Sequence, residues 1–179
     1  MVFSRLLSTM TLSSTKMEKQ YEINNNILIL RVRKAPMFVR SVMFFFTFLF
    51  FLLPLTGMIL GLAMGKGMHI GYLIGLFIFG LLGFYMLRMS LWNTYGKEII
   101  IFNHESVTYL ADYCWFKDGK KQKEIKAPRT YSIRQIGYED DNKGGLVIGL
   151  DDPIICVTKM PNIELEELID KLNDVDNMR

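Results

Sequence analysis

Residues 41–65 carry no charged side chain, and neither do residues 67–87 if His69 is counted neutral. Two apolar runs of this length, separated by one lysine, constrain the chain more than any other feature. A helix rises about 1.5 Å per residue, so about 20 residues cover a hydrocarbon core of about 30 Å, whereas runs of about 10 to 14 would read as buried core helices. The runs therefore predict transmembrane helices over 37–64 and 70–92. The connector Gly65-Lys66-Gly67-Met68-His69 leaves room only for a tight turn, which makes the pair an antiparallel hairpin with both chain ends on one side. Arg31, Arg33, Lys34 and Arg40 precede the first run and Arg88 and Lys97 follow the second, against Lys66 alone in the turn. The positive-inside bias then puts both termini in the cytoplasm. Trp92, Tyr95 and Tyr72 stand where interfacial aromatic belts are expected.

Outside the hairpin, the 179-residue chain leaves enough for one small soluble domain. Its net charge of +3 is modest and its basic residues cluster beside the apolar runs, which points to anionic lipid and gives no indication of nucleic acid. Residues 1–19, rich in Ser and Thr, read as a disordered tail or as an over-extended start, with Met17 as an alternative beginning. Cys114 and Cys156 fall in strand-like segments on the cytoplasmic side and read as reduced packing residues.

Residues 20–35 contain the run Ile27-Leu28-Ile29-Leu30-Arg31-Val32-Arg33, which reads as a strand that folds back on the domain following the hairpin, with Pro36 ending it. Residues 97–175 form the body of that domain. Strands are expected over 98–102, 107–116, 121–126, 130–138, 146–150 and 154–159, with Asp118-Gly119 as the sharpest hairpin turn. The chain closes with an amphipathic helix that Asn162 would cap, carrying Leu165, Leu168, Ile169 and Leu172 on one face. The fold class is thus a membrane helical hairpin plus an α+β, mainly antiparallel domain.

The strand before the hairpin, the strand Glu98-Ile99-Ile100-Ile101-Phe102 after it, the Ile133-Arg134-Gln135-Ile136 segment and the Asp151-Asp152-Pro153 turn together resemble one known layout. It is that of small bacterial membrane proteins with a two-helix hairpin and a pleckstrin-homology-like domain, and the resemblance spans residues 21–173. It implies a seven-stranded, partly open barrel capped by the C-terminal helix, an inner-membrane location, and a non-enzymatic adaptor or scaffold.

Candidate contacts follow. Lys117, Lys120, Lys121 and Lys123 form the densest basic run and are the candidates for anionic lipid or an acidic partner, with protection of a strand edge as the plainer reading. Gly57, Gly61, Gly71 and Gly75 recur at intervals of four and are the candidates for helix packing, within the hairpin or between copies. The partners expected are membrane lipids and a protein, either a membrane complex or a toxin, the latter if the chain is an immunity protein. Neither a cofactor nor a metal is expected: His69 and His104 are isolated, and the acidic turn over 139–142 lacks the oxygen spacing of a calcium loop. No nucleophile elbow, phosphate-binding glycine loop or paired carboxylate suggests catalysis.

Overall fold

The computed structural model describes residues 19–137 and 141–177. The expected tail over 1–19 lies outside them except for Lys19, and the acidic turn lies partly outside. Two long helices, α1 (Met37–Ala63) and α2 (Ile70–Tyr95), stand antiparallel. They are long and apolar enough to cross a bilayer, and only 6% of the most apolar stretch of each is buried, so neither serves as the core helix of a soluble domain. The reversal between them uses left-handed backbone at Gly65 (φ +71°) and Gly67 (φ +69°), a conformation that glycine adopts without a Cβ clash.

The helices meet where Gly61 receives Tyr72 and Gly83 receives Phe51; a Cβ on Gly61 would lie 2.0 Å from the Tyr72 oxygen. Thr47 and Ser90 share a buried hydrogen bond of 3.3 Å at the domain end of the pair. Gly57, Gly71 and Gly75 have nothing within 4 Å of where a Cβ would stand, so of the four glycines picked from the sequence only Gly61 packs. The physical reason is the period. Thr47 and Gly61, and likewise Gly83 and Ser90, are separated by multiples of seven, the repeat of a left-handed pair, and a four-residue stripe drifts off that seam.

The hairpin is inserted into a sheet. Strands β1 (Tyr21–Asn24) and β2 (Ile27–Arg31) form a turn at Asn25-Asn26, with Asn25 at φ +50°. β2 then pairs antiparallel with β3 (Lys97–Phe102), Leu28 opposite Ile100, although α1 and α2 lie between them in the chain. β4 (Ser106–Asp112) and β5 (Lys117–Glu124) complete a five-stranded meander ordered β1-β2-β3-β4-β5. A second antiparallel sheet contains β6 (Tyr131–Gln135), β7 (Lys143–Ile148) and β8 (Ile154–Ile155), with β9 (Met160–Pro161) also pairing to β7. Helix α3 (Asn162–Asn177) follows.

Among the described residues no strand pairing joins the two sheets, so the expected seven-stranded barrel is replaced by two open sheets. Leu28, Leu30, Ile100 and Val107 of the first sheet meet Leu146, Ile148 and Ile154 of the second and Leu165, Leu168 and Leu172 of α3 in one core. The α3 face is therefore as read from its spacing. Its cap is not: the Asn162 side-chain oxygen is buried without a hydrogen-bond partner among the described residues.

Two further expectations change. Asp118-Gly119 is not the β4–β5 turn but a bulge inside β5, where the register slips between Tyr109 and Ala111 and Gly119 takes φ +66°. The turn comes earlier, at residues 113–116. There Asp112 accepts a hydrogen bond from the Cys114 amide at 2.8 Å, and the Tyr113 and Phe116 rings stack at 4.8 Å. The strand expected over 154–159 breaks after Ile155, because the amides of Val157 and Thr158 turn away to the carboxylate of Glu98, at 2.7 and 3.0 Å.

Candidate functional site

The domain-side end of α2 forms a ridge, Trp92-Asn93, with a hollow on each flank. Its position is set by the chain that leads into α1. The Val32 amide donates to the Gly96 carbonyl at 3.0 Å and the Ala35 amide to the Asn93 carbonyl at 3.2 Å, strapping the β2–α1 linker against the end of α2. Arg33 is thereby carried to the rim of the first hollow, a cavity of about 380 Å³. Lys143, at the start of β7, and Lys159, just before β9, reach the same cavity from the second sheet.

Among the described residues no acid lines this cavity, and none of Arg33, Lys143 and Lys159 makes an ion pair. Its wall includes Thr158, which is 1% exposed and whose hydroxyl has no hydrogen-bond partner among the described residues. Buried polar atoms are normally satisfied. Three cations without an ion pair among the described residues make a cavity suited to an anion with several acceptor oxygens, such as a phosphate ester.

The second hollow, of about 340 Å³, differs in its charge balance. Arg88 is answered there by Asp118 at 2.6 Å and by the Tyr113 hydroxyl at 3.1 Å, so Lys121 is its only cation without a partner among the described residues. Its walls include Tyr85, Met89 and Trp92, which make it the more aromatic of the two.

The four lysines picked from the sequence do not form a loop. They lie along β5, the edge strand of the meander, where lysine discourages pairing with a further strand. Lys123 is tied to Asp152 and to the Pro153 carbonyl, the latter at 3.0 Å, which fastens the edge to the β7–β8 turn. Lys121 lines the second hollow, while Lys117 and Lys120 are exposed. Arg33, Lys143 and Lys159 escaped notice as a group because they converge from three distant segments. A run of lysines is visible in one dimension, but a convergence is not.

Cys114, expected to be a packing residue in a strand, is exposed in the β4–β5 turn, whereas Cys156 is buried. Burial, followed by the charge of Glu98, pushes the Cys156 thiol well above its usual range, so it stays protonated as a packing group. Burial and the same carboxylate raise the Tyr109 hydroxyl. Among the described residues no three His, Cys, Asp or Glu side chains are grouped to hold a metal ion. Compared with protein-family models, with curated proteins and with solved structures, the chain finds no match in any of the three.

Proposed function

We propose that the chain is a non-enzymatic, membrane-tethered module that acts by contact with anionic lipid headgroups. In this reading α1 and α2 cross a bacterial inner membrane as a hairpin, and the sheets and α3 form a pleckstrin-homology-like domain in the cytoplasm. A five-stranded meander, a second antiparallel sheet and a C-terminal helix in that order support the domain assignment. The excess of basic residues beside the domain ends of the helices, against Lys66 in the turn, supports the orientation.

The observation that carries the functional reading is the cavity at the end of α2 that Arg33, Lys143 and Lys159 line, with no acid among its described lining residues. A site at the foot of a membrane helix opens at the level of the headgroups. There each basic residue gains about 1 kcal/mol from an anionic surface, and tethering raises the effective concentration further without any new contact. The three cations would neutralise a phosphate held there.

The test uses the full chain, because the first sheet is built from both sides of the hairpin. Native mass spectrometry after exchange into mixed phosphatidylcholine and phosphatidylglycerol is expected to show preferential retention of phosphatidylglycerol. The combined Arg33→Gln, Lys143→Gln and Lys159→Gln variant should lower that preference about a hundredfold, from the loss of about 1 kcal/mol per charge at about 1.4 kcal/mol per factor of ten. Lys126→Gln, exposed beyond the end of β5 that lies away from the helices, should leave it nearly unchanged. Equal retention by the wild type and the triple variant would remove the lipid reading.

A further inference from the structure

We infer that the β4–β5 turn, residues 113–116, is an interfacial anchor that seats Trp115 in the headgroup boundary of the bilayer that α1 and α2 cross. The inference rests on the membrane-spanning reading of those helices and adds a third point of contact to it. β3 starts immediately after α2, and Asp112 at the end of β4 pairs with Lys97 at the start of β3. Whatever follows Asp112 must therefore overhang the start of the sheet and run back alongside the helix.

The ring contacts trace that path. Tyr113 lies 5.1 Å from the Trp92 ring, and its own ring carries the Arg88 guanidinium at 5.0 Å. Phe116 stacks on Tyr113 and lies 6.2 Å from Phe84 with near-parallel planes. From Trp92 through Arg88 to Phe84 the contacts step down α2, and Phe84 is one turn, about 5.4 Å, further toward the bilayer centre than Arg88. Phe84 belongs to the charge-free run and is 52% exposed, with Leu81 at 56% and Phe77 at 68% below it. The turn is held at that depth by the Arg88–Asp118 ion pair, which fastens the first strand residues of β5 to α2.

A separate observation fixes the surroundings at this level. The Thr47–Ser90 hydrogen bond aligns the two helices, so Phe45, Phe46 and Phe48 of α1 stand beside the segment of α2 around Ser90. These phenylalanines are 63%, 44% and 56% exposed. An apolar phase that covers them extends past Arg88 toward the domain, and the turn lies within its reach. Trp115 is itself 67% exposed at the turn, and exposed Lys117 follows it. Tryptophan with a neighbouring cation is the composition favoured at the boundary between acyl chains and headgroups. The occupant of this surface is lipid rather than a protein partner, since Phe116, beside Trp115, stacks against Phe84 on the exposed apolar face of α2.

The full chain reconstituted in phosphatidylcholine–phosphatidylglycerol vesicles tests this through tryptophan fluorescence, as Trp92 and Trp115 are the only two tryptophans. The Trp115 signal is taken from Trp92→Phe and, independently, from the difference between wild type and Trp115→Phe, so that a folding defect in one variant does not decide the result. We expect blue-shifted Trp115 emission, strong quenching by lipids brominated near the headgroup, weaker quenching by lipids brominated near the bilayer centre, and little quenching by aqueous iodide. Phe77→Trp on a background of Trp92→Phe and Trp115→Phe reports on the helix, and the centre-brominated lipid should quench it most. If that tryptophan is quenched from the centre while Trp115 is open to iodide and indifferent to brominated lipid, the anchor is overturned and the hairpin stands. Absence of lipid quenching at both positions overturns the spanning reading and the anchor with it.

Discussion

Glu98→Ala is expected to destabilise the domain by about 4 kcal/mol, combining about 1 to 3 kcal/mol for each buried group left unsatisfied with the cost of the cavity. Glu98 is fully buried, yet it makes no ion pair among the described residues. Its carboxylate accepts from the Tyr109 hydroxyl at 2.7 Å and from the amides of Val157 and Thr158. Removing it orphans three donors at once and releases the segment that breaks β8 and shapes the wall of the basic cavity. Glu98→Gln should cost about 2 kcal/mol, because its amide group turns a donor toward a donor, and Tyr109→Phe about 1 kcal/mol for a single hydrogen bond. Urea unfolding of the full chain in detergent, followed by near-ultraviolet circular dichroism, orders the three. A Glu98→Gln variant as stable as the wild type would show that the carboxylate does not fasten the sheets together.

Asp176→Ala should cost about 3 to 5 kcal/mol, the usual result of stranding one partner of a buried ion pair. The side chains of Arg129 and Asp176 are 0% and 4% exposed and bond at 2.7 Å. Asp176 also accepts from the Arg129 amide at 3.2 Å and from the Tyr131 hydroxyl at 2.8 Å. The guanidinium reaches the Asn103 carbonyl and lies 5.3 Å from the Phe102 ring. The last turn of α3 is in this way joined to the start of β6 and to the β3–β4 turn. Replacing both partners by apolar residues, Arg129→Met with Asp176→Leu, is expected to recover most of the loss, since no charge is then left buried alone. The same unfolding transition reads it, and a double variant as unstable as Asp176→Ala would contradict the assignment.

What could be read in one dimension was local. The helices were legible because an uninterrupted absence of charge needs no partner to interpret it. The extension of α2 past residue 92 was not, because Asn93 and Thr94 look like turn residues. They stay helical by returning their side chains to the carbonyls of Met89 and Ser90, at 2.8 and 2.7 Å. The strand over 98–102 and the apolar face of α3 were equally plain, the first from its run of isoleucines and the second from its period. Features imposed from a distance were lost: Glu98 breaks a strand at Val157, and an Asp112 hydrogen bond with ring stacking moves a turn away from Asp118-Gly119. The basic cavity belongs to this second kind. Its cations come from the linker ahead of α1 and from two positions in the second sheet, so neither spacing nor local composition could point to it.

The claim on which the whole account depends is that α1 and α2 carry the turn between them across a bilayer and hold the domain on the other side. Cys114 is exposed and Cys156 buried, so Cys114→Ser provides a background without a reactive thiol in the folded chain. Lys66→Cys in the turn and Lys120→Cys on β5 can then be tested one at a time with a membrane-impermeant maleimide, in right-side-out and in inverted membrane vesicles. The account predicts that Lys66→Cys is labelled only in right-side-out vesicles and Lys120→Cys only in inverted ones. Labelling of both positions in the same vesicle preparation, with neither in the other, would contradict it.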